Sequence, residues 1–465
     1  MKVSKINTSV IYKHNYRFEG KHYLNNSSYF SLQLESHDDK CCALSSLAFV
    51  FNPPVFKRQF CKNTPRAVQY FQSSDVQSTF EQSTTYIYKG QAEALNLLVK
   101  EKDILVTGFG TIGNTRFVSK QQDGVCYANN VCRIRATEHA GFLYAFLSGV
   151  YGKAQLNTNA SGSVVRYIEA PGIKKTLIPQ FPSPFQQEVD DLIQEAARLR
   201  EEAAIILDNA DKLLKEKAKL KNLVSEDYDY YGPRSSERKV SCFARNRKDI
   251  NTTTINAFNH SERIRKAKSL ITCKTKQLKE ILLGENTFST GSFPRVEVKE
   301  NCGVMLINQR DIFDTIIKGK WISKRKVKTD NLVEYGEVLI AGVGTLGENE
   351  TFCRVIFANE DLVGQLVSGE FIRMKTSYEI PSGYLYTWLA SDYGFRLIRN
   401  IQAGTKLCRP IPRLLLQIPI PIIEKADMQE IDRLVRKAHT LHHKANENEH
   451  KAIRMVEQEI EKWNK

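Results

Sequence analysis

Asp103-Ile-Leu-Val-Thr-Gly-Phe-Gly-Thr-Ile-Gly113 returns later in the chain as Glu337-Val-Leu-Ile-Ala-Gly-Val-Gly-Thr-Leu-Gly347. The agreement extends outward in both directions. Gly141-Phe-Leu-Tyr-Ala-Phe-Leu147 matches Gly383-Tyr-Leu-Tyr-Thr-Trp-Leu389, and Tyr151-Gly152 matches Tyr393-Gly394. Ser161-Gly-Ser163 matches Ala403-Gly-Thr405, and Gln187-Glu-Val-Asp190 matches Gln429-Glu-Ile-Asp432. Weaker echoes lie upstream. Tyr70-Phe71 with Asp75-Val76 parallels Leu306-Ile307 with Asp311-Ile312, and Phe18-Glu-Gly20 parallels Ile255-Asn-Ala257. The offset drifts only between about 234 and 242 residues, far too long a period for a solenoid. It describes two copies of one whole domain, each followed by the same kind of helix.

The copies read as mixed α/β. Segments near 86–135 and 335–375 alternate apolar and polar residues and are rich in Val, Ile, Phe and Tyr, with Gly and Asn between them, as strands and hairpins are. Segments 141–152 and 383–398 have the pattern of short amphipathic helices. Each copy leaves through prolines, Ile178-Pro-Gln-Phe-Pro-Ser-Pro184 and Ile418-Pro-Ile-Pro421. In the helix that follows the first exit, Val189, Leu192, Ala196, Leu199, Ala203, Ile206, Ala210, Leu213 and Leu220 keep 3-4 spacing, interrupted only by Lys217. That is a coiled-coil seam about four heptads long. Adding 242 gives Ile431, Leu434, Ala438, Leu441, Ala445, Asn448, Ala452, Met455 and Lys462, a poorer seam in the same register with Asn448 and Glu459 intruding. Each helix is the evident partner of the other. Leu192, Leu199, Ile206, Leu213, Leu434, Leu441 and Met455 are the expected pairing residues. The expected boundaries are a first domain over 1–183, a helix over 184–222, a linker over 223–250, a second domain over 251–421 and a final helix over 422–465.

Two ordinary-looking numbers and one unusual one bound the function. The chain has 465 residues, 42% hydrophobic and 26% charged, as soluble globular proteins do. Its net charge of +15 instead asks for an acidic partner, nucleic acid before membrane surface. No apolar run is long enough to span a bilayer, and Met1-Lys-Val-Ser-Lys-Ile-Asn7 has no signal-peptide core. The ten cysteines include no Cys-x-x-Cys pair, so they read as small reduced apolar residues rather than as a metal or disulfide framework.

The motifs that imitate chemistry give way on inspection. Gly108-Phe-Gly-Thr-Ile-Gly113 and Gly342-Val-Gly-Thr-Leu-Gly347 satisfy a dinucleotide pattern. Such a site needs a helix to start there, and the residues that follow are strand-like, so a tight hairpin is the reading. Asn52-Pro-Pro-Val-Phe56 imitates the Asn-Pro-Pro-aromatic signature of adenine methyltransferases, but Val55 displaces the ring that should stack on a flipped base, and a turn fits better. His439 and His443 stand four apart on the last helix and read as incidental members of a solvated face rather than metal ligands. No nucleophile–base set recurs in both copies. Basic residues interleaved with aromatics do recur, as nucleic-acid contact requires. The candidates are Arg58, Arg66, Arg116 and Arg166 in the first copy, with Arg295, Arg310, Lys324, Arg325 and Lys406 in the second.

Taken together, the duplicated Asp103–Asn114 and Glu337–Gly347 motifs, Ala160-Ser-Gly-Ser163, the proline exit into Gln186-Gln-Glu-Val-Asp190 and the two heptad helices resemble the specificity subunit of a type I restriction–modification system. The resemblance covers nearly the whole chain. It implies two target-recognition domains, each reading one part of a split duplex DNA site, joined by an antiparallel two-helix coiled coil. It also implies two partner adenine-methyltransferase subunits and motor–nuclease restriction subunits, in a cytoplasmic, prokaryotic, phage-defence setting. The chain would itself be non-catalytic, without cofactor or metal, while S-adenosylmethionine, ATP and Mg belong to the partners. Residues 226–250 have no counterpart in the first half. A helix from Pro184 to Leu220 would be about 55 Å long, and an antiparallel pair could hold two readers about one DNA turn apart. Three other readings stand beside this one. One is the specificity subunit of a related enzyme that cleaves on both sides of its site. Another is a methyltransferase built on Asn52-Pro-Pro, which would itself bind the cofactor. The last is a coiled-coil scaffold, which would show no sequence preference once salt suppresses phosphate contacts.

Overall fold

The computed structural model describes residues 8–13, 26–80, 82–162, 166–224, 227, 244–250, 252–300 and 302–464. The Phe18–Gly20 echo and most of the 223–250 linker lie outside these residues. Two long helices, Ser183–Lys217 and Lys425–Glu461, run through the chain, and neither belongs to one domain alone. One compact unit is Met1–Glu201 with Lys444–Lys465, the other Glu202–His443. The division between these units falls inside both helices, whose own starts at Ser183 and Lys425 lie close to the expected 184 and 422. Each unit is completed by a segment of each helix.

In the first unit the strand Ile104–Thr107 is central. It lies antiparallel between Thr115–Phe117 and Val131–Ala136, and Ala48–Phe51 continues the sheet. In the second unit Val338–Ala341 holds the same position between Val355–Phe357 and Phe371–Met374. Both central strands are buried on both faces, which explains their continuous apolar run where alternation was expected. Ile104 and Val106 face the cluster of Phe142, Phe146 and Val189, while Leu105 meets Phe71, Tyr127 and Val131 beneath a second sheet. That second sheet contains one parallel pair in each copy. Tyr70 and Phe71 lie beside Cys126 and Tyr127, as Leu306 and Ile307 lie beside Leu366 and Val367. The faint sequence echo at these residues thus marks equivalent backbone. A third element closes each domain: Cys41–Ala43 pairs with Leu177–Pro179, and Thr275–Gln277 pairs with Pro419–Pro421. The exit prolines sit on short edge strands, where a missing N–H is tolerated.

The repeated residues fasten the long helices to the domains. Asp190 Oδ1 accepts from Gly141 N at 2.6 Å, and Asp432 Oδ1 accepts from Gly383 N at 2.7 Å. Each carboxylate sits at the N-terminus of a short helix, Ala140–Ser148 or Ser382–Ala390, where N–H groups lack partners and the dipole favours negative charge. The second carboxylate oxygen is held from one turn further along, by Gln194 in one unit and by Arg436 at 2.7 Å in the other. Glycine is required opposite. A Cβ on Gly141 would meet Asp190 Oδ1 at 2.8 Å and Ile193 Cβ at 2.9 Å, and one on Gly383 would meet Asp432 Oδ1 at 2.6 Å.

The helix seams differ in detail from the sequence reading. The most deeply buried positions are Val189, Ile193, Ala196, Ala203, Ala210 and Leu214 on the first helix, with Ala218 just past its end, and Ile431, Val435, Ala438, Ala445, Glu449, Ala452, Val456 and Ile460 on the second. Leu199 and Ile206 are buried too, at 6% and 8% exposure. Leu192, Leu213, Leu434, Leu441 and Met455 are half-buried and pack at the cluster margins. The stripe rotates by one residue because each helix also covers a domain, which widens its apolar arc beyond an a/d seam. Glu449, not Asn448, is the buried polar intruder. Within the second unit, Lys217 meets Asp427 at 3.1 Å and Glu202 meets Lys437 at 3.4 Å, so the helices run antiparallel. The first helix stops at Lys217 because Lys219 takes a left-handed φ of 53° while Leu220 N bonds back to Lys215 O, an αL cap built without glycine.

Gly141→Ala should lower the urea-unfolding stability of the full chain by about 1–3 kcal/mol through overpacking. Gly90→Ala, with open space around its Cα, should change it by no more than about 0.5 kcal/mol.

Candidate nucleic-acid interface

The glycine motif forms the connection of a hairpin in both units, with a strand after it rather than a helix. Gly108 and Gly342 pass close to neighbouring backbone: an added Cβ would lie 2.5 Å from Ile168 O and 2.6 Å from Glu370 O respectively. Each hairpin loop is bridged to the Ser161-Gly or Ala403-Gly loop. Ile168 N donates to Gly108 O, and Phe109 pairs with Tyr167. In the second unit Gly344 and Cys408 exchange both backbone hydrogen bonds. The two motifs, some fifty residues apart in sequence, thus make one loop cluster per unit. Phe109 and Tyr167 stack at 5.6 Å on the first cluster, each 38% exposed, and Leu407 stands out on the second. Composition did not single out these apolar tips. The only signal available was the aromatic beside each glycine loop of the first copy, Phe109 and Tyr167; the second copy has Val343 in the place of Phe109.

The clusters differ where the sequence motif is the same. The connection spans 108–114 in the first unit and 342–354 in the second, seven residues against thirteen. Gly110 and Gly113 adopt φ of +76° and +79°, whereas Gly344 and Gly347 are not left-handed. The longer loop is pinned by arginines. Arg396 holds Glu348 through both guanidinium nitrogens at 2.5 and 2.6 Å, Arg399 donates to Phe352 O, and Arg354 donates to Glu348 O. Arg354 and Arg399 lie over the Phe395 ring at 4.2 and 4.0 Å. Burial, then the charge of Arg399, lowers the Arg354 pKa to about 10.

The predicted contact residues fall into groups. Arg310 and Lys406 are exposed at the second loop cluster, where neighbouring Gln309 grips both the N–H and the C=O of Val343. Arg295, Lys324 and Arg325 come together elsewhere on that unit, because Ser323 N donates to Val296 O. In the first unit Arg58 and Arg66 are exposed on the second sheet, with Arg58 over the Tyr70 ring at 5.7 Å. Arg166 is half-buried, and its guanidinium bonds Asn157 O at the C-terminus of Val150–Thr158. Arg116 corrects the sequence reading. It is 5% exposed on the edge strand Thr115–Phe117, donating to Gln122 Oε1 at 2.7 Å and to Ser78 O at 2.6 Å, so its guanidinium is committed to contacts inside the unit. Arg133 and Arg373, which sequence reasoning passed over, are fully buried at equivalent positions. Arg133 reaches Leu97 O and Tyr127 O, and Arg373 binds both oxygens of Glu337 at 2.8 Å.

The histidines are also corrected. His439 is not on a solvated face. Its ring stacks on Phe357 at 5.0 Å and meets Tyr386 edge-on at 5.2 Å. Burial, then the nearby His442, lowers its pKa to about 3. His443 Nδ1 lies 2.6 Å from Asp361 Oδ1. Asn52, of the Asn-Pro-Pro motif, is a turn anchor that accepts from Ala170 N at 2.7 Å. Among the described residues no group of His, Cys, Asp and Glu converges as a metal site would, and no helix is long and apolar enough to cross a membrane.

No family model and no curated protein matches the chain. Among solved structures it is similar to the type I restriction–modification S subunit from M. genitalium, at 12% identity over 91% of this chain and 94% of that one, TM-score 0.34. It is also similar to the HsdS subunit from Thermoanaerobacter tengcongensis, at 15% identity over 91% and 95%, TM-score 0.26. A third similar chain comes from a study of complex assembly in the type I system, at 14% identity over 91% and 96%, TM-score 0.27.

Two variants check these assignments. Arg116→Ala strands buried carbonyls and should cost about 1–3 kcal/mol of stability in urea melts. His439 is neutral when folded, whereas in the unfolded chain it titrates near its ordinary value of 6.5. Its contribution is therefore complete above pH 6.5 and is lost as pH falls toward 3. His439→Phe should make the urea midpoint less steep with pH across that window.

Proposed function

We propose that the chain is the DNA-specificity subunit of a type I restriction–modification system, each unit reading one part of a bipartite duplex. The observation that carries this is a division of labour repeated in both units. The Gly–Asp clamp, the central strand and the edge pair are equivalent, while the loop clusters and their exposed cations diverge. A conserved frame with variable loops is how one scaffold recognises two different sequences. The charge of +15 suits a polyanion. Exposed Arg58, Arg66, Arg310 and Lys406 supply phosphate contacts, and the loop tips supply base-edge contacts. The paired helices are the surface for two adenine-methyltransferase subunits, with motor–nuclease subunits added for restriction. S-adenosylmethionine, ATP and Mg act in those partners, in the prokaryotic cytoplasm, and this chain contributes recognition without catalysis.

The test is methylome sequencing of cells carrying the chain with its methyltransferase partner. Exchanging residues 342–354 and 403–409 for those of a related protein should change one half of the methylated motif and leave the other intact. A change in both halves, or in neither, counts against modular readout. Lys406→Ala or Arg58→Ala should weaken binding to all duplexes alike and reduce the salt slope by about 1, whereas Arg116→Ala should leave that slope unchanged.

A further inference from the structure

The two long helices are near-copies, which raises a pairing problem. Ala196, Ala203 and Ala210 recur as Ala438, Ala445 and Ala452, and all six are buried. An apolar seam repeated with one offset does not distinguish the second helix from the first helix of another copy. One layer does. In the first unit Glu449, 1% exposed, accepts from Tyr144 Oη at 2.5 Å and from the Arg200 guanidinium, which also donates to Asn446 Oδ1 at 2.9 Å. The offset of 242 maps Tyr144, Arg200 and Glu449 onto Tyr386, His442 and Leu207 in the second unit. There the place of the carboxylate is apolar: Leu207 packs with Ala203, Ile206, Ala438 and Leu441, and Tyr386 lies against His439.

We infer that the Arg200–Glu449 pair, with Tyr144, dictates that the first long helix pairs with the second rather than with another first helix. The alternatives fail at this layer. Two first helices would set each Arg200 against Leu207, burying a guanidinium without its carboxylate. Two second helices would set Glu449 against His442 and leave it without Arg200 or Tyr144. A buried charge separated from its partner is strongly disfavoured, whereas the intact pair adds little over an apolar one. The pair therefore acts on partner choice more than on stability, as buried polar groups in helical seams do when they fix register. The exposed ion pairs Lys217–Asp427 and Lys437–Glu202 are too solvated to decide it.

The experiment uses the full chain carrying Arg200→His with Glu449→Leu, which gives the first unit the residue types that stand at the equivalent positions of the second, His442 and Leu207. Equal amounts of unlabelled and 15N-labelled protein are unfolded together, refolded, and joined with a carbodiimide that links Lys to Asp or Glu. Wild type should give Lys217–Asp427 and Lys437–Glu202 links and no isotopically mixed links within Ser183–Lys217. The double variant should fold with an unchanged or higher melting temperature and give mixed links from Lys212, Lys215 or Lys217 to Asp191 or Glu195 of another copy. Glu449→Gln, which removes the charge and replaces one accepting oxygen with an NH2 donor at nearly the same size, should give them at a lower fraction and covers the case in which the double variant does not fold. Mixed first-helix links in wild type, or none in either variant, would overturn the inference. DNA binding plays no part in this readout, so the proposed function stands or falls separately.

Discussion

A carboxylate on a long helix accepting a hydrogen bond from a glycine at the start of a short one is the contact on which each unit depends. Asp190 with Gly141, and Asp432 with Gly383, fix where the long helix crosses its domain. That crossing in turn sets which helix residues join the core. Val189 and Ile193 enter the cluster of Phe142 and Phe146, and Ile431 and Val435 enter that of Tyr384 and Trp388. The loops that vary between units are carried on the sheet under this core. A frame fixed by a short charge-assisted bond and a close glycine approach tolerates loops of quite different length, and seven residues are exchanged for thirteen without disturbing the strands on either side.

Much of this was legible because glycine and aspartate at fixed spacing carry geometric information that survives divergence. The repeat located the clamp residues before their role was visible, and the hairpin reading of Gly108–Gly113 followed from the strand-like residues after it. Three features were not legible, each for a physical reason. The seam was read one residue away at several layers because sequence periodicity reports one apolar face, whereas these helices bury two. Arg116, Arg133 and Arg373 look like surface cations in composition. Their burial depends on carbonyls and carboxylates that only the fold brings within reach. His439 reads as incidental because its aromatic neighbours, Phe357 and Tyr386, are distant in sequence.

The loop clusters mark the limit of motif reasoning. Gly-x-Gly-x-x-Gly is repeated letter for letter at its glycines, yet two of those glycines are left-handed in one unit and not in the other. What the motif preserves is the close approach of its first glycine to neighbouring backbone. Beyond that residue the loops are free to diverge, and the second has acquired its own arginine–phenylalanine anchor in Arg354, Arg399 and Phe395.

The interleaving of helix segments also has a consequence for synthesis. The first unit needs residues 444–461 to cover Val189, Ile193 and the face of its short helices, yet those residues are made after the entire second unit. At translation rates of roughly 5–20 residues per second, the wait after residue 201 lasts on the order of 10–50 s. A first unit folded in that interval would leave the side of its core that Ala452, Val456 and Ile460 cover open to water, long enough for chaperones, or for a neighbouring nascent chain, to reach it first.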